Sequence, residues 1–189
     1  MLNYFKFIEI LVSLQFIILS TMIPVLVVIS FTSKFKYILD FPITWQIPSI
    51  ILITLIFRAQ VVFKAFSIYL LLGLFIVPIF HNGGSLGYLL TPNFGYLIGI
   101  YPLIRIIDNL NKRNKIYFLD FLKSGILAIF AMHIIGILYN CIQMLYYKQI
   151  NIFLYNIGNY SIGKIGYHIL MLLPLSLLMK PINYFKRRN

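Results

Sequence analysis

Acids are almost missing from this chain. Asp and Glu total four in 189 residues, at Glu9, Asp40, Asp108 and Asp120, and no two are spaced i, i+3 or i+4. A carboxylate pair for acid–base or two-metal chemistry is therefore absent. Cysteine is nearly absent too. Cys141 alone excludes an intramolecular disulfide and gives no basis for a thiolate metal centre. Charged residues of both signs make up 11% of the sequence, against about 25% in soluble domains. No HExxH, GxSxG or nucleotide-binding glycine loop occurs. An enzyme is not expected, no cofactor or metal is implied, and energy for any active transport has to come from another chain or a gradient.

What fills the sequence is apolar. Hydrophobic residues reach 61%, with 17 Phe and 14 Tyr, and the mean hydropathy is +0.92. The expected class is an all-α integral membrane protein with a single domain over residues 1–189. The net charge of +12 reads as a topology signal and not as a nucleic-acid footprint.

Spans need roughly 20 mostly apolar residues. Six helices are predicted: Phe7 to Phe31, Thr44 to Phe57, Val61 to Phe80, Phe94 to Ile107, Ile116 to about Leu138, and Ile162 to Met179. The Arg58-Ala59-Gln60 turn makes helices two and three a tight hairpin. With the N-terminus cytoplasmic, 12 Lys and Arg face inward (Lys6, Arg58, Lys64, Arg105, Lys112, Arg113, Lys115, Lys123, Lys180, Lys186, Arg187, Arg188). Four face outward: Lys34, Lys36, Lys148 and Lys164. This asymmetry is what the positive-inside rule expects, and it puts both termini in the cytoplasm and the chain in the cell membrane as a multi-pass protein. Glu9 interrupts the apolar start and no A-x-A-like site follows, so a cleaved signal peptide is not expected.

Between the third and fourth helices lies HNGGSLGYLLTPNFGYLIG, His81 to Gly99, without formal charge and with four glycines in its first fifteen residues. Irregular backbone near a membrane survives where protein buries it or where it lines a cavity. This stretch therefore predicts a pocket. Two other outer connections, 32–48 and 148–161, are aromatic and almost free of acids, and together the three are expected to cap an outward-facing site. The spacings Gly83-x-x-x-Gly87 and Gly95-x-x-x-Gly99 have the form of helix-packing motifs. His133, Gly136 and Asn140 fall on one helical face, which reads as a packing seam or pocket wall. Lys164 and His168 share a face, with Tyr167 three positions from Lys164. This group either holds a small anion or lets Lys164 snorkel to the interface.

The runs YLLLGLFIVPIF (Tyr69 to Phe80) and GGSLGYLLTPNFGYLIG (Gly83 to Gly99) resemble the BioY family, the biotin-binding S components of energy-coupling-factor (ECF) vitamin transporters. Of that family's Pro-Thr-Gly-Gly-Tyr-Leu motif, Pro92 and Gly95-Tyr96-Leu97 match, while Asn93 and Phe94 stand at the Thr and first Gly. FPITWQ (Phe41 to Gln46) is similar to the family's Pro-x-Thr-x-Gln lead into helix two. The family's later Gly-Asp-x-x-Lys motif falls on Gly163-Lys164-Ile165-Gly166-Tyr167, or in a second register on Gly158-Asn159 with Ile162 at the Lys position. The first is favoured because the apolar run after it has the family's length. In either register the Asp/Lys pair is absent. The alanine-rich first helix of S components is also altered, with Ser13, Ser20 and Thr21 its only small residues.

The resemblance implies a six-transmembrane-helix bundle of S-component type that binds biotin, or a similar small vitamin, from outside. Delivery inward would use an ECF transmembrane coupling protein and ATPase subunits in the lipid bilayer. A suitable site needs polar partners for the ureido group, apolar walls and a cation for the carboxylate. Gln46, Asn82 and Tyr96 are assigned to the ureido end, Trp45 and Tyr88 to the walls, and Lys164 with Tyr167 to the tail. Gly83 and Gly84 belong to the same substrate-binding stretch. The alternatives are an S component for a different vitamin, or a non-transporting membrane protein such as an assembly factor.

Overall fold

Proline sets most of the helix boundaries. The computed structural model describes residues 2–32, 35–81 and 83–186; Asn82, Lys34, Arg187 and Arg188 lie outside the described residues. Helix α1 (Leu2–Met22) stops before Pro24, whose ring lacks an N–H and clashes with the preceding turn. The chain then forms an antiparallel hairpin, β1 (Pro24–Thr32) with β2 (Phe35–Thr44), in the register Val27↔Leu39, Val28↔Ile38 and Ile29↔Tyr37. This corrects two expectations, the helix continuing to Phe31 and the all-α class. The Val25–Ile29 run is rich in β-branched residues, which favour strands once proline has broken the helix.

Helices α2 (Gln46–Phe57) and α3 (Ala59–Phe75) are joined by Arg58 alone, at φ 68°. Asp108 Oδ1 accepts from the Ala59 N–H at 3.0 Å, placing a carboxylate on an otherwise uncapped helix start. Helix α3 ends at Phe75 and not at Phe80, because Pro78 cannot supply the next N–H and disfavours helical geometry at Val77. Helices α4 (Pro92–Ile98) and α5 (Ile100–Asp108) are the predicted fourth segment, interrupted at Gly99 where Pro102 leaves the Ile98 carbonyl without its partner.

Helix α6 (Phe118–Tyr147) runs 30 residues, well past Leu138, and closes on Lys148 in the left-handed region at φ 55°. The last rod is segmented: α7 (Ile150–Ile157), a π turn (Gly158–Ile162), α8 (Gly163–Leu170), α9 (Leu172–Leu177) and α10 (Met179–Lys186). Pro174 and Pro181 account for the breaks after Leu170 and Leu177 by the same missing N–H.

Among the described residues two helices are long and apolar enough to cross a membrane, Tyr4–Met22 and Phe118–Tyr147. Helix α1 packs on α2 and α3, α4 and α5 pack on α6, and α8 meets α6 and β2. One buried cluster, including Ile50, Phe66, Tyr69, Leu103, Phe121 and Leu172, joins these layers. Ser13, Ser20 and Thr21 of α1 are all buried, while Phe5, Phe16 and Leu19 are exposed. The α4–α6 seam is close because glycine allows it. A Cβ on Gly99 would meet the Met132 carbonyl oxygen at 2.5 Å, and one on Gly136 would enter the Tyr96 ring. Gly95 faces Tyr139 in the same way, so Gly95-x-x-x-Gly99 packs helices as its form suggests. Gly83 and Gly87 have no such neighbour and lie outside any α-helix.

Candidate functional site

A cavity of about 270 Å³ opens between the hairpin, the starts of α2 and α4, the middle of α6 and the α8 segment. It lies near the lower end of small-molecule sites, about 300–1,000 Å³. All three connections expected to face outward supply lining residues: Phe41 to Thr44 from the first, His81, Tyr88 and Asn93 from the second, and Tyr160 from the third. Their convergence follows from the fold. The Pro24 break turns the chain into the hairpin, and the Gly99 and Gly136 contacts pull α4 against α6 beside it.

Gln46, Tyr88, Tyr96 and Lys164 line the cavity. Gln46 Nε2 donates to Tyr69 Oη at 3.3 Å, and Tyr69 Oη lies 3.3 Å from Thr21 Oγ1, which donates to the Ile17 carbonyl at 2.7 Å. This chain of bonds fixes the amide, and among the described residues its oxygen accepts no bond. Tyr88 Oη donates to the His81 carbonyl at 3.2 Å, and burial pushes its pKa up to about 12, so the phenol stays neutral. The Lys164 ammonium sits 5.0 Å from the centre of the Tyr160 ring, a cation–π contact. Among the described residues it forms no ion pair. His81 also lines the cavity; burial, and after it the charge of Lys164, holds its imidazole below the usual 6.5.

Other members of the predicted set are placed elsewhere. Trp45 packs with Phe41 against Val25, Ile43 and Met171 and is not among the lining residues. Tyr167 rests on Phe41 with ring centres 4.8 Å apart and is 37% exposed. Gly83, at φ 128°, exchanges backbone bonds with Phe80. Gly84 sits where a Cβ would meet Pro78 and the Gly73 carbonyl. Both glycines shape the loop carrying His81 and Tyr88 and are not among the lining residues.

His133, expected as a packing seam or pocket wall, and His168, expected beside Lys164, line the cavity, and Ser161, Tyr160 and Asn93 stand at or beside it without any such expectation. His133 Nε2 lies 3.2 Å from His168 Nδ1, His133 Nδ1 lies 3.3 Å from Ser161 Oγ, and Ser161 Oγ lies 2.7 Å from Tyr96 Oη. One signal was in the sequence: Tyr160, Lys164 and His168 recur every four residues and share a helical face. Nothing in the spacing joins His133 to Ser161. Farther along α6, Asn140 Nδ2 donates to the Pro92 carbonyl at 3.3 Å and Gln143 Nε2 to the Leu90 carbonyl at 2.8 Å. With Tyr139 bonded to the Leu89 carbonyl, they tie the glycine-rich stretch to α6.

The sequence model of the BioY family matches residues 6–178. A protein of Lysinibacillus sphaericus described as a probable biotin transporter BioY is 30% identical over 95 residues, 48% of this chain and 48% of that protein. The chain thus spans about half the length of the curated relative it matches. The fold is similar to the crystal structure of the S-component for biotin from an ECF-type ABC transporter, with a TM-score of 0.62, 17% identity, and coverage of 94% of this chain and 92% of that one.

Proposed function

This chain belongs to the BioY family, and from that premise we propose that it is the membrane substrate-capture component of a biotin uptake system. In this reading six helical rods span the bilayer, both termini are cytoplasmic, and the cavity takes biotin from outside. A separate ECF coupling protein with ATPase subunits then drives inward release. The chain's own role is binding, not catalysis.

The observation that most supports the reading is the pairing, within one cavity, of the Lys164 ammonium with the fixed Gln46 amide. Lys164 offers a cation to the biotin carboxylate. Gln46 presents an unused acceptor to a ureido N–H, and Tyr88 supplies an aromatic wall. Asn93, Tyr160 and His81 add polar edges to the same space. A second reading, an S component for a different vitamin, draws on Lys164 and Tyr167 standing where the family's Asp and Lys are expected.

Calorimetry on the purified protein separates the two. Biotin is expected to bind tightly at one site, with thiamine and riboflavin silent. Binding of another vitamin in its place would move the chain to the second reading. A biotin-auxotrophic host expressing the chain with a coupling protein and ATPases should accumulate labelled biotin. Absence of both binding and uptake would sink the capture role.

A further inference from the structure

Tyr96, Ser161, His133 and His168 come from four elements and form one hydrogen-bonded chain along a single wall of the cavity. His133 is 2% exposed, Ser161 4% and His168 8%, so water offers these groups little alternative. The two ends, Tyr96 and His168, both belong to the cavity wall.

Counting protons limits what the chain can do. A hydroxyl or a neutral imidazole carries one polar proton, and each link uses one. If Tyr96 donates to Ser161, then Ser161 donates to His133 Nδ1, His133 Nε2–H donates to His168 Nδ1, and both rings carry their proton on Nε2. Running the other way, both rings carry it on Nδ1, Ser161 donates to Tyr96, and the phenolic proton is free for the cavity. A mixed pair would set two N–H groups or two lone pairs against each other across 3.2 Å, leaving a buried group unpaired. Reversal passes one proton in at Tyr96 and one out at His168, so net charge is unchanged.

We infer that this chain sets the hydrogen-bonding polarity of Tyr96, so that a carbonyl or carboxylate oxygen of the ligand receives the phenolic proton. Ser161, His133 and His168 act as positioning residues. Lys164 fixes the direction. Its ammonium lies over the Tyr160 ring, which is 6.2 Å from the Tyr96 ring, so an oxygen drawn to that cation arrives on the wall that Tyr96 occupies. The choice of biotin as the ligand rests on the capture reading above; the coupling of the two imidazoles does not.

Imidazole nitrogen NMR tests both parts. The protein has three histidines, and His81→Gln removes the one outside the chain. Without ligand, His133 and His168 should show the same tautomer, and saturating biotin should leave both protonated on Nδ1. Ser161→Ala is expected to weaken biotin binding about tenfold and to make the His133 tautomer indifferent to ligand. Ser161→Thr, which keeps the hydroxyl, should restore both. Unlike tautomers in the free protein, or Nε2 protonation of both rings with biotin bound, would overturn the inference. A wild-type protein that fails to bind biotin overturns the capture reading instead, while matched tautomers in that same protein still support the coupling.

Discussion

Lys164 is the one Lys, Arg, Asp or Glu among the described residues lining the cavity, and it lies over the face of Tyr160. A cation held this way binds an anionic ligand without first breaking an ion pair, which makes its share of the binding large. Under the proposed function Lys164→Ala should weaken biotin binding about ten- to hundredfold, the range for a charge-assisted hydrogen bond. Calorimetry reads this directly, and unchanged affinity would place the carboxylate elsewhere. His81 responds to the same charge. Burial first and Lys164 second hold its folded pKa below the unfolded 6.5, so the unfolded chain binds the proton more readily. Its contribution to stability is therefore full above pH 6.5 and is lost as pH falls below it. Thermal unfolding at pH 7.5 and 5.5 should show a smaller acid-induced drop in Tm for His81→Gln than for wild type.

Helices in lipid gain little from hydrophobic burial, so close van der Waals packing and hydrogen bonds decide how they associate. The α4–α6 seam depends on this. Gly99 meets Met132 backbone, which cannot swing aside as a side chain can. Gly99→Ala should cost about 1–3 kcal/mol and lower the Tm, while Gly158→Ala, with nothing within 4 Å of its Cβ position, should not lower it through any clash. Equal losses in the two variants would exclude packing as the cause. The α2–α3 junction has its own device. Asp108 accepts from Ala59 N–H and from Asn111 Nδ2 at 3.2 Å, and Asn111 Nδ2 also donates to the Thr54 carbonyl at 2.7 Å. These bonds tie α5 to the α2–α3 junction. Asp108→Ala is expected to lose about 1 kcal/mol, seen as a lower Tm with ligand affinity retained.

At the scale of the molecule, the 12-to-4 partition of Lys and Arg gives a topology to test. Reporter fusions after α10 should read as cytoplasmic, and fusions within 148–150 as external; the opposite pattern would invert the proposed route of biotin. The mostly helical architecture was legible because long apolar runs separated by basic loops favour helices in a membrane protein. Their ends were less so. Proline acts through the carbonyl four residues earlier: Pro24 and Pro78 ended the first and third helices early, the first giving way to a hairpin, and Pro102, Pro174 and Pro181 broke later segments. Gln46, Tyr88, Tyr96 and Lys164 were readable as pocket residues because each stands in or next to an unusual motif. Trp45 and Tyr167 stand in motifs just as unusual, yet they pack on the far side of lining residues such as Phe41 and are not themselves part of the lining.

Composition and the Gly83 to Gly99 motif were enough, by themselves, to point to a membrane protein of BioY type with a pocket beside that motif. Those properties are local, since hydropathy, topology and tight backbone turns are written in neighbouring residues. The tertiary structure alone decided which side chains meet inside that pocket. His133 and Ser161 are 28 positions apart and His133 and His168 are 35 apart, and no periodicity connects them. They meet because the Gly99 and Gly136 contacts set the distance between α4 and α6, and the π turn at Gly158–Ile162 carries Ser161 to the ring of His133.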